Sequence, residues 1–470
     1  RRRSLAALRA EVEPVTSLDY ARFLPAWQGV SGTARGHDGL LRAVEQLAGA
    51  VLPASAVEGL VLPSRVAAYT PALLDELLAS GEVVWAGHGP LPGDDGWVSL
   101  HLAELAPLTL AAPGALELGP LHEAVLEALA GGGAYFFRTL AQTVAAEEDE
   151  PLRAALWELV WAGRVTGDTF APVRAMLAGG RTAHRRPSAP ARSRYAARSP
   201  FGGARPLGGV TARARGPVRR GAAARSGPTD VVGRWALLPD RETEATATAY
   251  ARAEVLLDRY GVLTRGSVAA EEVPGGFAGV YRVLAAAEEA GRVRRGYFVE
   301  GLGAAQFGST GAVDRLRAGS RPIGDLATRA PAPALVLAAC DPANPFGAAL
   351  PWPSREPAAS AEGRGHQPGR KAGALVVLVD GDLVLYVERG GRSLLTWSEE
   401  PVALQAAADA LALAVREGSL GRLTVERTDG TSVLRSDHPL GAALSQAGFH
   451  ATPRGLRRSE EHTSELQSPV

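Results

Sequence analysis

The chain has 470 residues, 46% of them hydrophobic, and its 50 basic and 50 acidic side chains cancel to a net charge of zero. That length exceeds one ordinary core, so two to four domains are expected, and the balanced charge excludes a whole-chain electrostatic case for nucleic acid. The single cysteine, Cys340, excludes an internal disulfide and a multi-cysteine zinc site; no apolar run reaches 18 residues and no secretory leader opens the chain, so a cytoplasmic protein without a membrane span is expected.

Lys371 is the only lysine, and Ile323, Asn344 and Met176 are likewise single. Such usage reflects coding bias, so abundant arginine is not in itself a phosphate-binding signal.

Residues 1–50 read as a helical lead-in. Thr70 and Pro71 can open a helix with Leu73, Leu74, Leu77 and Leu78 on one face, and Gly81 can end it before a strand from Val83. Gly93–Gly96 can turn the chain back into Trp97–Leu102. The same order recurs. Leu121, Val125 and Leu129 mark one helix, Ala134–Val144 a second, and Leu152, Leu156 and Leu159 a third, ended at Gly163 before Arg164–Thr169. A third copy places Val280, Val283, Leu284 and Ala287 on one helical face, ended at Gly291 before a basic hairpin pattern.

The helix-ending glycines lie 82 residues apart (Gly81, Gly163) and then 128 apart (Gly163, Gly291). Between the latter pair, Arg181–Gly227 holds twelve arginines and no acid. Removing its 46 or so residues restores a spacing of about 82, which predicts three similar modules with a linker before the third. The linker has too few large apolar residues to order itself; it is a solvated spacer or a loose phosphate contact.

Beyond Gly319 the pattern turns to strands. Leu335–Ala339, Ala372–Val379, Asp382–Glu388, Ser393–Trp397 and Leu423–Arg427 are expected strands, with Asp380-Gly381 and Asp429-Gly430 as tight turns and Pro401–Glu417 as a helix. The expected fold class is therefore α+β: tandem winged-helix modules followed by a β-rich, barrel-like C-terminal domain. The segments are a lead-in (1–50), winged-helix-like modules (51–112 and 113–180), an Arg/Pro/Gly-rich disordered linker (181–230), a winged helix (231–318), the β-rich domain (319–457) and an adapter-like, non-biological tail (458–470) after which the natural C-terminus is missing.

In a winged helix the third helix enters the major groove and the hairpin wing lies on the backbone. The third helix of the last module exposes Arg282 beside Glu288 and Glu289, which disfavours base reading. Its wing carries Arg292, Arg294 and Arg295, and Arg265 opens the second helix. These five arginines are the expected DNA-binding residues, through backbone contacts. The alternative is an architectural or protein-binding winged helix.

No catalytic signature stands out. Lys371 is not in a P-loop, Gly301-Leu302-Gly303 lacks the third glycine of a dinucleotide fingerprint, and the histidines have no metal-ligand spacing, so no metal site is assigned. Cys340 reads as core. Asp341 before Pro342 reads as a turn residue and is the one weak candidate for a catalytic carboxylate.

The blocks GRWALLPD (Gly233–Asp240), RYGVLTRGSVAAEEVPGGFAGVYRVL (Arg259–Leu284), GRVRRGYFVEGLGAAQF (Gly291–Phe307), DPANPFGAALPWP (Asp341–Pro353) and RKAGALVVLVDGDLVLYVERGG (Arg370–Gly391) carry a resemblance. Together with FLPAWQGV (Phe23–Val30), LLDELLASGEVVWAG (Leu73–Gly87), GGGAYFFR (Gly131–Arg138) and TPRGLR (Thr452–Arg457), they resemble the C-terminal region of bacterial large helicase-related proteins, the Lhr family. The resemblance implies a longer parent chain with an ATP- and magnesium-dependent superfamily 2 motor that moves 3′ to 5′ on DNA, acting in DNA repair. This segment itself is expected to need no cofactor. It implies tandem winged helices, DNA as partner (single-stranded or a tailed duplex), the motor upstream and homo-oligomerisation. Some members are glycosylases. The alkylpurine glycosylase relatives use a Gln-x-Gln motif, which Gln306-Phe307-Gly308 does not match. The competing readings are thus a DNA-binding and assembly region of a helicase, a base-excision module, and a protein-interaction scaffold.

Overall fold

The computed structural model describes residues 13–179, 182–184, 228–303, 305–320, 334–355, 367–436 and 438–458. The linker expected at 181–230 falls outside them except at its two ends, and so does the tail apart from Arg458.

Helix α1 (Ser17–Trp27) is followed by α2 (Gly36–Leu47), strand β1 (Leu52–Pro53) and a helical run at 54–65. Then come α3 (Pro71–Ser80), β2 (Val83–Leu91) and β3 (Asp95–Leu102). Pro71 opens α3 where its missing N–H costs nothing, and Gly81 closes it at φ +81°, a left-handed value that a side chain resists. Leu74, Leu77 and Leu78 are buried, each contributing about 1.5–3 kcal/mol.

The second unit holds α4 (Pro120–Leu129), β4 (Tyr135–Phe136), α5 (Phe137–Thr143), α6 (Asp149–Trp161) and β5 (Val165–Gly167). Its last strand, β6 (Arg234–Leu237), comes from the far side of the linker and pairs with both β4 and β5. The third unit holds α7 (Ala245–Tyr260), β7 (Val262–Leu263), α8 (Arg265–Ala270), α9 (Gly276–Glu289), β8 (Arg294–Gly296), β9 (Gln306–Gly308) and α10 (Thr310–Gly319).

Each unit has one three-stranded sheet, and all three sheets share one order, first–third–second strand: β1-β3-β2, β4-β6-β5 and β7-β9-β8. With one helix before the first strand and two helical segments between the first and second strands, this is winged-helix topology. Two expected boundaries therefore move. Helix α2 opens the first unit, although it falls in the expected lead-in. Strand β6 closes the second, although it falls in the range expected for the third, so the linker is an insertion in the second unit's wing.

Helix α1 does not join the unit that follows it. The Tyr20 hydroxyl donates to the carbonyls of Tyr260 (3.1 Å) and Val262 (3.3 Å), and Val15 bridges Val299 in parallel. Tyr20, Phe23 and Leu24 share one buried cluster with Leu256, Leu257 and Phe307 of the third unit.

The C-terminal region is built from β10 (Leu335–Ala338), β11 (Leu375–Val379), β12 (Asp382–Val387), β13 (Ser393–Thr396), α11 (Pro401–Arg416), β14 (Leu423–Val425), β15 (Arg427–Thr428) and β16 (Thr431–Ser432). Helix α12 (Leu440–Gln446) and the hairpin β17 (His450–Thr452) and β18 (Gly455–Arg458) complete it. Six strands form one sheet, β10-β11-β12-β13-β15-β16, and three form another, β14-β18-β17. Leu404, Ala407, Ala408, Leu411 and Val415 recur at helical spacing and bury one face of α11.

The region is sheet-rich, but no closed barrel forms among the described residues, which corrects the barrel-like expectation. The reason lies at Glu426. The stretch read as one strand, Leu423–Arg427, divides there: Leu423–Val425 pairs with β18, while Arg427 and Thr428 pair with β13. Sheet ends β10 and β16 are left without a common partner.

Candidate nucleic-acid interface

In the third unit α9 buries Val280, Leu284 and Ala287 and leaves Arg282 exposed, with no partner among the described residues. Gly275 (φ +78°) and Gly276 (φ +58°) turn the chain sharply into α9. The wing follows: β8 and β9 pair from Arg294↔Gly308 to Gly296↔Gln306. Gln306 holds it from inside. Its Oε1 accepts from the backbone N–H of Phe298 (3.0 Å) and Val299 (2.9 Å), and its Nε2 donates to the Val299 and Gly303 carbonyls.

The wing arginines are exposed, but they do not form one stripe. Side chains alternate along a strand, so neighbours on β8 diverge. Arg295 turns to α9, where it pairs with Glu288 at 3.0 Å and donates to the Tyr281 hydroxyl at 2.6 Å. Arg294 turns to α10 and meets Asp314 at 3.5 Å. Arg292 donates to the Tyr250 hydroxyl of α7 at 2.6 Å, its guanidinium 4.9 Å from the ring centroid. Arg295 thus lies against α9, while Arg292 and Arg294 lie against other helices.

Arg265 is exposed at the first position of α8. The helix start is already occupied: the Thr264 hydroxyl accepts from the Ser267 N–H at 3.2 Å. A Cβ at Gly266 would sit 2.3 Å from the Ala348 carbonyl oxygen, so this turn is pressed against the loop after Cys340. Sequence reasoning missed Tyr250 and Tyr281, which become visible as arginine platforms only once the wing is folded against α7 and α9.

Asp341 is placed differently from a catalytic carboxylate. It is fully buried; Oδ1 accepts from Arg65 Nη2 (2.7 Å) and from the Ala343 N–H (2.8 Å), and Oδ2 accepts from Arg65 Nη1 (3.0 Å). Both oxygens are committed to this structural pairing. Next to it, burial pushes the Cys340 thiol up to about 12, which keeps it protonated and inert. Among the described residues no group of three or more His, Cys, Asp or Glu side chains is placed to hold a metal ion.

Comparison with known proteins fits this architecture. Two family models described as "Large helicase-related protein, winged-helix domain" match, one (the third such domain) over residues 15–103 and one (the fourth) over residues 242–327. The first match spans α1 as well as the first unit. An Lhr helicase/probable uracil glycosylase of Mycolicibacterium smegmatis is 51% identical over 469 residues, covering 97% of this chain and 29% of that protein. An Lhr helicase/uracil glycosylase of Escherichia coli is 37% identical over 486 residues, with the same shares. The chain therefore spans less than a third of the length of these relatives. A solved structure, the Streptomyces sahachiroi DNA glycosylase AlkZ, aligns with 88% of this chain and 100% of its own, with a TM-score of 0.46 and 15% identity. No helix among the described residues is long and apolar enough to cross a membrane.

Proposed function

The chain belongs to the large helicase-related (Lhr) family, as a C-terminal region, and on that premise we propose that it supplies the DNA-binding part of a longer helicase that acts in repair. The observation that carries this reading is the pairing of exposed arginines with tyrosine rings on the third unit. Arg292 over Tyr250 and Arg295 over Tyr281 (5.9 Å) present exposed guanidinium groups held at fixed positions on two different helices, and Arg282 is exposed as well. Held cations suit phosphate oxygens, and the acidic residues on α9 oppose close base reading. Backbone contact with single-stranded or tailed DNA follows.

In this proposal ATP and magnesium belong to a motor segment elsewhere in the parent protein, and self-association is a further property of the region. The test is fluorescence anisotropy with a 3′-tailed duplex. Replacing Arg282, Arg292 and Arg295 together by Ala should weaken binding at least tenfold at low salt; unchanged affinity would sink the assignment. A second reading, base excision, is supported by the names of the two relatives. It is tested by alkaline strand cleavage of a uracil-containing oligonucleotide.

A further inference from the structure

A cleft of about 340 Å³ opens between the first and second winged-helix units, within the size range of small-molecule sites. Its walls are β2, the loop at 110–116, the C-terminal turn of α6 with Trp161, and Arg241, which follows β6. Nothing in the wing of the third unit contributes to it.

The wall is built around a β-bulge. Gly87 pairs with Val98 and Pro90 pairs with Gly96, so His88 and Gly89 together face the single residue Trp97, one extra residue on β2, and His88 lines the cleft. A Cβ at Gly87 would lie 2.3 Å from the Val160 carbonyl oxygen, and one at Gly96 2.4 Å from the Trp161 ring. Only glycine lets α6 come this close.

His88 ends a chain of hydrogen bonds whose direction can be worked out. Thr109 Oγ1 donates to the Leu105 carbonyl (3.0 Å), so it accepts from His101 Nδ1 (2.7 Å). A neutral His101 then accepts at Nε2 from the Ser99 hydroxyl (2.7 Å), and Ser99 accepts from His88 Nε2 (2.7 Å). His88 thus carries its proton on Nε2, and its Nδ1 lone pair has no partner among the described residues. Burial lowers His88 to about 4 and His101 to about 3, so both are neutral near pH 7. Arg241 Nε and Nη2 are held by the carbonyls of Ala111 and Gly163, which leaves Nη1 without a partner among the described residues. The cleft therefore offers one acceptor and one cationic donor between small and apolar walls.

We propose that this cleft binds one nucleobase that has a ring carbonyl beside a ring N–H, the carbonyl accepting from Arg241 Nη1 and the N–H donating to His88 Nδ1. Thymine and guanine present that edge. Cytosine and adenine lack the ring N–H and leave His88 Nδ1 unmatched. The shared chemistry serves a free nucleoside and a base turned out of a DNA strand alike.

The test uses the whole chain and saturation-transfer NMR with thymidine and deoxycytidine. Thymidine should bind about tenfold more tightly, the loss of one hydrogen bond. Gly114→Leu should abolish binding by filling the cleft; a Cβ there meets only Ala162, at an ordinary contact distance of 3.7 Å. Arg241→Met removes the donor without adding bulk and is the second variant should the first misfold. A ten-residue oligothymidylate carrying one 5-iodouracil separates the sources. A photo-crosslink to the Trp161 peptide, lost in Gly114→Leu, supports a base within a strand; thymidine binding without that crosslink supports a free nucleoside. Absence of both, or binding indifferent to both substitutions, overturns the proposal. Loss of the wing reading would show instead as wing variants with full DNA affinity and an unchanged cleft.

Discussion

Arg65 and Asp341 form a two-pronged ion pair across 276 residues of sequence, with Nη2–Oδ1 at 2.7 Å, Nη1–Oδ2 at 3.0 Å and both side chains 1% exposed. Arg65 Nη2 also donates to Gln28 Oε1 at 2.6 Å. The pair fastens the first winged helix to the C-terminal region, with the α1 end of the chain as third partner. Removing one member strands the other charge away from water, at a cost of about 3–5 kcal/mol. Asp341→Ala should therefore lower unfolding stability by about that amount in urea titrations. Replacing both residues by Leu should recover most of it. A loss below 1 kcal/mol for the single variant would contradict the picture.

The local pieces of this architecture were legible in the sequence because their causes are local. Pro71 and Gly81 bound α3, and Asp380-Gly381 takes φ values of +49° and +89°, which produce the tight turn between β11 and β12. The glycine spacing pointed to repeated units. What escaped is what depends on distant chain. Val15 and Tyr20 meet their partners more than 200 residues away, and nothing in α1 distinguishes docking on the third unit from docking on the first. Strand β6 looks like the start of a new module because an insertion separates it from β5. The expected basic wing was correct in composition, but strand alternation sends Arg294 and Arg295 to different helices. Arg65 carried no sequence signal at all, since an arginine in a short helical run usually faces solvent.

The wing makes a prediction about salt. If arginines on the third unit replace counterions on a phosphate backbone, affinity falls with salt with a log–log slope of about 0.9 per contact on duplex. Arg282→Ala should reduce the slope by about one contact. Glu288→Gln should raise affinity two- to fivefold at low salt, because it frees Arg295 from its acid at 3.0 Å and removes a negative charge from the α9 face. Anisotropy titrations between about 50 and 200 mM salt read both effects. A Glu288→Gln protein with weaker binding would show that the pair orders the wing rather than restraining it.

The strand pairing of β6 predicts what a cut in the inserted segment does. Tyr135 pairs with Trp235 and Gly167 pairs with the same residue from the other side, while Trp235 is fully buried. A protease site placed between residues 195 and 215, once cleaved, should leave two fragments that elute together in size-exclusion chromatography. Trp235→Ala should lower the stability of the second unit by about 3–5 kcal/mol, the loss of a large buried aromatic, while the fragments stay together through α1 on the third unit and the Arg65–Asp341 pair. Separation of the wild-type fragments after cleavage would mean that neither β6 nor the α1 contacts hold the two halves together.

Three histidines, His101 and His184 buried and His88 partly so, set a pH dependence. Desolvation by burial lowers His88 to about 4, His101 to about 3 and His184 to about 4, against about 6.5 in an unfolded chain. Their folded values are depressed, so between pH 6.5 and 4 the unfolded chain takes up protons that the folded chain refuses. Their contribution is complete above pH 6.5 and declines as the pH falls through that window. Each histidine adds about 1.4 kcal/mol per pH unit to the slope. Most carboxylates titrate below about 4.5, so histidine should dominate the upper part of the range. Urea midpoints should fall steadily from pH 6.5 to 5, and His101→Gln should flatten that fall by about one proton. His101 is the most informative position: it lies fully buried between Ser99 and Thr109, and an imidazolium there would have to donate to a Ser99 hydroxyl that now points its own proton at Nε2. A flat stability profile from pH 6.5 to 5 would mean that these rings take up protons in the folded state as readily as in the unfolded chain.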